Sequence, residues 1–340
     1  MRNNTRLLYT ALLAQVASIN GVASAAEKFS VDPSIQQTLE TRIQESSEFL
    51  KRINVIGVTE QQGAKLGLGI GSPIASTTNT ANADRQTKDP TALDQQLYIC
   101  TQTNSDTHIP YAKLDAWAKF PNFQERVRDA IVARQALDRI MIGFNGISRA
   151  ATSNPGTNPL LQDVNKGWLQ HYREQAAARV LKGGKNAAKI VVGTKDAVTA
   201  DYANLDALVM DAVAGLIDPW HRNDTQLVAI LGSDLLHDKY FPLVNQAAPA
   251  TEQIAADLIM SAKRIGGRGA VQVPFVPANA ILITRLDNLS IYWQEGARRR
   301  HIADNPKRDR IENYESSNDA YVVEDFGAGC LIENIELQQN

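Results

Sequence analysis

A long segment without an apolar pattern, residues 63–92, constrains the fold of this chain more than any other feature. The segment is rich in Gly, Thr, Asn, Asp and Ala, and strand patterns flank it at 53–58 and 97–102. A structureless stretch of this length is uncommon inside a compact domain unless it has a function of its own. We therefore predict that the two strands and the segment between them form a long hairpin that projects from the body of the protein.

The longest helix pattern of the chain covers residues 123–144. Its apolar stripe consists of Val127, Ile131, Leu137, Met141 and Phe144. Arg126, Arg128, Asp129 and Arg139 are predicted to lie on the other faces. The helix is expected to begin after Asn122, a good N-cap, and to end near Gly146.

The remaining patterns alternate between helix and strand. Helix patterns cover 32–51, 164–180, 205–216 and 252–264. Strand patterns cover 227–231, 271–276, 281–284, 289–293, 320–324 and 330–337. A polar linker rich in Pro and Gly follows the longest helix at 148–158. This order predicts a mixed α+β layout with a central inserted domain.

The segment 288–330 is dense in charge but has no catalytic spacing. Its first strand pattern is followed by an arginine run and by Asn305-Pro306, a dipeptide that favours a turn. Acidic and basic side chains then interleave, so that neither sign dominates. Two interpretations remain open: a solvated turn between strands, or a contact with a neighbouring subunit that carries the same mixture. The candidate contact residues are Arg298, Arg299, Arg300, Arg308, Arg310 and Glu312.

The N-terminal residues also allow two interpretations. Arg2 and Arg6 precede an apolar stretch at 7–19, and Ala23-Ser24-Ala25 has the form of a signal-peptidase site. The stretch is interrupted by polar residues, however, and favours an amphipathic helix. Its expected apolar stripe is Leu8, Leu12, Val16 and Ile19.

Composition excludes several classes of protein. The net charge of -2, from 35 basic and 37 acidic residues, argues against a dedicated nucleic-acid binder. No apolar run has the length that a membrane helix needs. Cys100 and Cys330 lack the spacing of a metal or redox motif, and we expect both to be buried thiols of a cytoplasmic protein.

No motif in the chain predicts catalysis. The glycine run 67–71 is not followed by a helix that could hold a phosphate, so a flexible loop is expected instead. The five histidines fall in separate elements, and no serine lies in a GxSxG motif. We therefore predict a protein that is not an enzyme and that has no cofactor and no metal site.

Blocks of sequence along nearly the whole chain resemble those of the major capsid proteins of P2-like tailed bacteriophages. The blocks are QESSEFLKRINVI (44–56), IASTT (74–78), LDAWAKFPNFQERVRDAIVARQALDRIMIGFNG (114–146), NPLLQDVNKGWLQHYR (158–173), YANLDALVMDA (202–212), DKYFPLVN (238–245), AADLIMSAKRIGG (255–267) and the charged segment 288–330. They keep the family's order, which makes the resemblance more specific than one short motif. The extreme N-terminus and residues 182–200 depart from the family pattern.

The resemblance implies the HK97-like capsid fold of class α+β. Its parts would be an N-terminal propeptide at 1–29, an N-arm at 30–57, an extended β-hairpin loop at 58–110, a peripheral domain at 111–160 with a long spine helix at 123–144, an inserted axial domain at 161–270 and return strands of the peripheral domain at 271–340. In this family the arm lies on neighbouring subunits. Propeptide cleavage would fall in the region of Ala26, Glu27, Lys28, Phe29 and Ser30.

The resemblance also implies a function. Subunits would self-assemble as hexamers and pentamers into the icosahedral head shell that encloses double-stranded phage DNA. The implied partners are further copies of the chain, a scaffolding protein and prohead protease, a portal protein and, without sequence specificity, the packaged DNA, but no membrane. The protein would occur in the virion, and in the host cytoplasm during assembly. The alternative function is a secreted or periplasmic binding protein with an N-terminal signal peptide.

Overall fold

The computed structural model describes residues 1–69, 75–87, 92–117, 123–196, 198–237, 239 and 263–338. Its helices are α1 (Asn3–Ile19), α2 (Pro33–Glu45), α3 (Tyr111–Trp117), α4 (Phe123–Asn145), α5 (Trp168–Gln175) and α6 (Leu205–Leu216). Its strands are β1 (Phe29–Ser30), β2 (Asn54–Val58), β3 (Gln62–Gly69), β4 (Ala92–Ile99), β5 (Thr101–Asn104), β6 (Thr107–Pro110), β7 (Val180–Leu181), β8 (Ile190–Val192), β9 (Val228–Leu231), β10 (Arg264–Ile265), β11 (Arg268–Gln272), β12 (Ile281–Thr284), β13 (Leu289–Gln294), β14 (Arg299–Asn305), β15 (Arg310–Val323), β16 (Cys330–Ile332) and β17 (Ile335–Leu337).

A seven-stranded sheet gathers strands from both ends of the chain. Its order is β1-β14-β15-β13-β2, and β5 and β6 also pair with β15. Strand β13 runs parallel to β2 and antiparallel to β15, so the early strand β2 pairs with the outer side of a late pair of strands. This pairing joins the N-terminal third of the chain to its last fifty residues or so, at separations that only a completed chain can satisfy.

The core under this sheet is built around Trp168, the first residue of α5. Its ring centroid lies 5.3 Å from that of Phe144 in α4 and 5.5 Å from that of Tyr321 in β15. The indole N–H donates to the carbonyl oxygen of Ser290 at 3.0 Å, which satisfies the buried polar group. Gly143 in α4 leaves room for the ring, because a Cβ there would lie 2.2 Å from it. The packing of α4 on α5 therefore depends on a glycine in the last turn of α4.

A six-stranded sheet with the order β10-β11-β9-β12-β16-β7 forms a second layer. Helix α6 packs on it with an apolar face that includes Leu208, Val209 and Ala212. This helix begins after Asn204, whose side chain accepts a hydrogen bond from the Ala207 N–H at 2.9 Å, as an N-cap should. Helix α6 matches the predicted bounds, and so does strand β12.

A long hairpin is present, but the predicted pair of strands is wrong, because the first of them corresponds to β2, which pairs with β13 in the seven-stranded sheet. Strands β3 and β4 pair antiparallel from Gln62 opposite Ile99 to Gly69 opposite Ala92. The expectation that the glycine run 67–71 forms a flexible loop is wrong for Gly67 and Gly69, which lie in β3. Glycine weakens a strand, but here each residue is held by a partner in β4. Residues 70 and 71 of the run lie outside the described residues.

Other bounds differ from the prediction. Helix α2 ends at Glu45 rather than near residue 51, because a separate 3-10 turn forms at Leu50–Arg52. Helix α5 covers only part of the predicted 164–180, since Gly167 precedes it and a Cβ there would lie 2.3 Å from the Ile142 carbonyl oxygen. The helix predicted at 252–264 falls on residues outside the described ones up to 262, and Arg264 lies in β10.

The N-terminal helix forms as predicted, but its apolar stripe is not the buried one. Leu8 is 46% exposed and Ile19 is 56% exposed, whereas Ala17 is buried. Ala17 belongs to a small separate cluster with Ala25, Phe29 and Val31. None of the described helices is long and apolar enough to cross a membrane.

Candidate assembly surfaces

Strands β14 and β15 carry most of the mixed charge of segment 288–330. They pair antiparallel, with Arg299 opposite Ser316 and Asn305 opposite Arg310. The turn between them is limited to the 3-10 turn Pro306–Arg308, which ends at Asp309 in the left-handed conformation with φ 48°. The interpretation of the whole run as a solvated turn is therefore wrong, because most of its residues form a ladder and find partners across it.

Arg298 is buried inside the subunit, with 2% of its surface exposed. Its guanidinium donates to Glu40 Oε1 at 2.7 Å, to Glu315 Oε1 at 2.8 Å and to Gln135 Oε1 at 3.1 Å. These partners come from α2, β15 and α4. Its guanidinium is thus saturated within one chain, and the expectation that Arg298 contacts a neighbouring subunit is not carried forward.

A second arginine completes a buried charge cluster, which we define as Glu40, Arg139, Arg298, Glu315 and Asp319. Arg139 donates to Glu40 Oε1 at 3.2 Å and to Asp319 Oδ1 at 3.3 Å. The expectation that Arg139 lies on a polar face of α4 is wrong, because residues 139–144 of this helix are buried all round. The cluster fastens α2 and α4 to the seven-stranded sheet.

Burial and charge act in opposite directions on the acids of this cluster. Burial raises the pKa of Asp319, and Arg139 offsets only part of that effect. Burial would also raise the pKa of Glu315, but the guanidinium groups of Arg298 and Arg300 hold it below its usual value. The arginines therefore compensate Glu315 more fully than Asp319.

The N-arm lies on its own subunit in this structure. Gln36 of α2 is fully buried; its side-chain amide donates to the Gln294 carbonyl oxygen at 3.0 Å and accepts from the Gly296 N–H at 2.9 Å. With the Glu40 contacts, these bonds fix the helical part of the arm against the β13–β14 connection. The helical part of the arm therefore packs within its own chain, and the contact of the arm with neighbouring subunits stays a prediction.

The next two arginines of the run differ in surroundings. Arg299 is partly exposed, and its guanidinium donates to Ser30 Oγ at 2.7 Å and to the Gly296 carbonyl oxygen at 2.6 Å. Arg300 donates to Asn313 Oδ1 at 2.8 Å, and burial lowers its pKa. Both arginines are half-buried, and each has a hydrogen-bond acceptor within the chain.

The tip of the β14–β15 hairpin presents charge to solvent. Lys307, Arg308 and Asp309 are exposed. Next to them, Arg310 donates to Glu312 Oε1 at 2.7 Å, while the Tyr314 hydroxyl donates to Glu312 Oε2 at 2.6 Å. The bonds from Tyr314 and Arg310 lower the pKa of Glu312 to about 2, so this carboxylate stays ionised.

The region predicted to be cleaved lies against the edge of the seven-stranded sheet. Phe29 pairs with Arg300 and Ser30 pairs with Arg299. Ala26, Glu27 and Lys28, which precede this strand, are exposed. The structure thus brings the predicted cleavage region and the predicted contact residues together.

The base of the long hairpin supplies an apolar surface that the sequence prediction did not single out. Leu97 is 71% exposed and Ile99 is 54% exposed, although both lie in β4. They have the same strand parity, so they share one face, while Tyr98 on the other face packs on Tyr292 with ring centroids 5.1 Å apart. Two large apolar side chains left in solvent at the base of a projecting hairpin indicate a surface that another molecule covers.

A groove of about 310 Å³ lies beside this surface. It is lined by the hairpin base, by β15 and by α5, and its rim carries Arg149 and Lys166. The described residues contain no group of three or more His, Cys, Asp or Glu side chains that could hold a metal ion.

Comparison with known proteins decides which family this is. The family described as phage major capsid protein, P2 family, matches residues 8–335. The chain belongs to this family of capsid proteins. The "Capsid proteins" of Escherichia phage P2 are 50% identical over 345 residues, 99% of this chain and 96% of that one. The "Major capsid protein" of Serratia phage KSP20 is 42% identical over 349 residues, 100% of this chain and 99% of that one.

A solved structure agrees with the P2-family assignment. A chain of the satellite phage P4 procapsid that includes the size determination (Sid) protein superposes with a TM-score of 0.82 at 48% identity, covering 100% of this chain and 99% of that chain. The P2-family capsid protein described here thus has the HK97-like phage capsid fold, as predicted, and its function is that of a major capsid protein. The comparisons give no support to a secreted or periplasmic binding protein.

Proposed function

We propose that this capsid protein self-assembles as hexamers and pentamers into an icosahedral shell around double-stranded DNA. The observation that carries the proposal is the agreement in fold and sequence, over the whole chain, with a subunit of a procapsid. Shell closure requires heterologous contacts between copies that tolerate slightly different angles. A projecting hairpin and a charged strand edge are surfaces of the kind that such contacts use.

The proposed contacts between subunits lie on two surfaces. One is the charged edge and tip of the β14–β15 hairpin, with Arg299, Arg300, Arg308, Arg310 and Glu312. The other is the apolar base of the β3–β4 hairpin. The first surface carries both signs of charge, so it is complementary to a second copy of itself, and the second offers apolar area.

Removal of the N-terminal residues during shell maturation is part of the proposal. The exposure of Ala26, Glu27 and Lys28, which belong to no strand, supports cleavage in the region 26–30 because a protease needs an accessible segment. A phage scaffolding protein and prohead protease would act at this stage, and a portal protein would occupy one vertex. The satellite phage P4 procapsid, which has a subunit similar in sequence to this chain, includes a size determination protein. We propose that the shell of this protein also accepts a partner that sets its size.

We propose a purely structural role without catalysis or cofactor. Assembly would take place in the host cytoplasm before the protein becomes part of the virion. Two free, buried cysteines are consistent with a reducing compartment. Burial raises the pKa of each thiol to about 12, so neither is reactive.

The test is electron microscopy of the purified full-length protein, alone and with its scaffolding protein. Closed shells or rings of capsomer size are expected, and the intact mass of protein from mature particles should lack roughly the first 26 to 30 residues. A protein that stays monomeric under all conditions would contradict assembly. Full-length chains in mature particles would contradict the proposed cleavage but not the proposed assembly.

A further inference from the structure

Strand β14 is the second strand of the seven-stranded sheet, and only a short piece of the N-terminal segment separates it from solvent. One side of β14 is fully paired with β15 from Arg299 to Asn305. On the other side, the Ile302 N–H donates to the Ala25 carbonyl oxygen at 3.2 Å, and the Val31 N–H donates to the Arg298 carbonyl oxygen at 3.0 Å. The two-residue strand β1 pairs between these bonds. Residues 25–31 therefore cover the outer edge of β14 as far as Ile302.

Side chains reinforce this cover. An imidazole nitrogen, His301 Nε2, lies 3.0 Å from the Ala26 carbonyl oxygen, and Ser30 Oγ donates to the Gly296 carbonyl oxygen at 3.1 Å. Further back in the segment, the Arg6 guanidinium lies 3.5 Å from the Asp304 carboxylate. Each bond is local to the edge, and none reaches the two large cores.

The apolar support of the cover is small and independent of the rest of the protein. Ala17, Ala25, Phe29 and Val31 form a cluster of their own, joined by partly buried residues of α1 and α2. Three of its four buried members precede residue 30. Loss of the residues up to Ser30 would remove most of this cluster together with the Ala25 carbonyl that the Ile302 N–H needs.

We propose that residues 1–30 mask the β14 edge, and that an extended strand of a second copy of this chain pairs with that edge once the segment has been removed. The inference rests on the proposed cleavage near residues 26–30. An unpaired strand edge presents a row of N–H and C=O groups, for which an added strand is the complementary ligand.

The side chains along the edge select the second copy as occupant. Arg299, Arg300 and His301 stand on β14 with Asp304 further along, and the exposed tip adds charges of both signs. Basic side chains outnumber acidic ones here, so the edge fits a strand that carries acidic side chains, which this chain also contains. In a shell, moreover, the neighbour of each subunit is another copy of that subunit.

The masking also determines when β14 becomes available to a neighbouring subunit. Before cleavage the edge is satisfied within the subunit, so a neighbouring strand would have to displace the cover. After cleavage the edge is open in every subunit at once. The segment thus delays a contact between subunits until the shell has been built.

Two truncated chains distinguish the effect of the strand cover from the effect of helix α1. One begins at Ala25, which removes α1 but keeps the strand cover, and the other begins at Val31, which removes both. Hydrogen exchange of the Ile302 amide is measured in unassembled full-length and truncated subunits. In the chain from Ala25, the exchange rate of the Ile302 amide should stay close to that of the full-length protein. In the chain from Val31, it should be at least about tenfold faster than in the full-length protein. Equal exchange in the two truncated chains would overturn the masking.

The second arm of the experiment tests the occupant. Sedimentation velocity should show that subunits of the chain from Val31 associate at lower concentration than subunits of the chain from Ala25, with the Ile302 amide protected again in the associated species or in shells. Equal association, or an Ile302 amide that stays unprotected after association, would overturn the pairing with a second copy. Failure of the full-length protein to form shells would instead count against the proposed function, and the exchange and sedimentation results would still decide this inference.

Discussion

At the residue scale, charged side chains that are neighbours in the sequence are divided between the interior and the surface of the subunit. The three consecutive arginines of the run 298–300 differ in burial: Arg298 is buried, whereas Arg299 and Arg300 are half-buried. The partner that buries Arg298 is Glu40, which lies 258 residues away in the chain. Local patterns cannot show such a partner, which is why Arg298 was predicted at a subunit interface.

Replacement of Arg298 by methionine should destabilise the subunit strongly. The change leaves Glu40 and Glu315 buried without their shared counter-charge, and breaking a buried pair in this way costs about 3–5 kcal/mol. Denaturant unfolding of the unassembled subunit measures the loss. Arg308→Met, at the exposed tip, serves as the control and should change the free energy of unfolding by no more than about 0.5 kcal/mol.

A second substitution makes this prediction specific to the charge cluster. Adding Glu315→Gln to Arg298→Met removes the buried carboxylate that has lost its hydrogen-bonded arginine and should recover part of the lost stability, whereas Glu40 keeps its bond to Arg139. A loss below about 1 kcal/mol for Arg298→Met, or no recovery in the double variant, would show that the cluster does not hold the arm in this way.

Glu312, near the tip of the β14–β15 hairpin, makes the stability of the folded subunit depend on pH. Its pKa falls from an ordinary value of 4.5 to about 2, because it accepts hydrogen bonds from Tyr314 and Arg310. A carboxylate whose pKa is lower in the folded state stabilises that state above its unfolded pKa, and this contribution is lost as the pH falls. The relevant window lies between pH 4.5 and about 2.

In that window the wild-type subunit should lose more stability than Glu312→Gln, which has no carboxylate to protonate. Urea unfolding at a series of pH values gives the difference. Tyr314→Phe removes the strongest of the hydrogen bonds and should show an intermediate slope. Parallel pH profiles for the wild type and Glu312→Gln would refute the assignment.

At the element scale, the elements with strong periodicity or an unusual length were predictable. Helix α4 is periodic over most of its 23 residues and is present as predicted. The segment 63–92 is too long for an ordinary loop, which predicted a long hairpin but not its strands, since β3 lies almost wholly inside the segment. The glycine run and the ends of α2 and α5 were not predicted correctly. Their limits depend on contacts with distant parts of the chain, such as the approach of Gly167 to the backbone of α4.

Gly143 offers a test of how closely α4 and α5 pack. A Cβ at this position would meet the ring of Trp168, which is fully buried and cannot move aside. Gly143→Ala should therefore destabilise the subunit by about 1–3 kcal/mol, the usual cost of overpacking a core. Thermal or denaturant unfolding measures the effect.

The matched control for this substitution is Gly215→Ala in α6. No heavy atom lies within 4 Å of the position where its Cβ would be built. Alanine has the higher helix propensity, so this change should stabilise the subunit by about 0.5–1 kcal/mol. If both substitutions change stability in the same direction, the close approach of Trp168 to α4 is not as described.

At the scale of the whole molecule, two cores carry the fold and the surfaces for assembly lie apart from them. The exposed apolar residues of the β3–β4 hairpin and the charged edge of β14 contribute little to either core. The family and the fold class were predictable because sequence blocks along nearly the whole chain carry the resemblance. The buried charge cluster and the covered strand edge were not, since each is formed by segments that no local pattern connects.

Replacement of both Leu97 and Ile99 by serine should separate assembly from folding. Both side chains are largely exposed, so the free energy of unfolding of the subunit should change by no more than about 0.5 kcal/mol for each. The yield of closed shells should fall, because the contact between subunits loses its apolar area. Sedimentation through a density gradient measures shell yield, and an undiminished yield would remove the hairpin base from the list of contact surfaces.

The buried charge cluster also sets an order of events during synthesis. Its members come from three distant parts of the chain, Glu40 near the start, Arg139 in the middle and Arg298 to Asp319 near the end. While the ribosome is still adding residues, Glu40 has none of its arginine partners from the last part of the chain, and α2 has no sheet on which to dock. The N-arm is therefore among the last elements to fold, and the nascent chain keeps it free until almost the whole protein has been made.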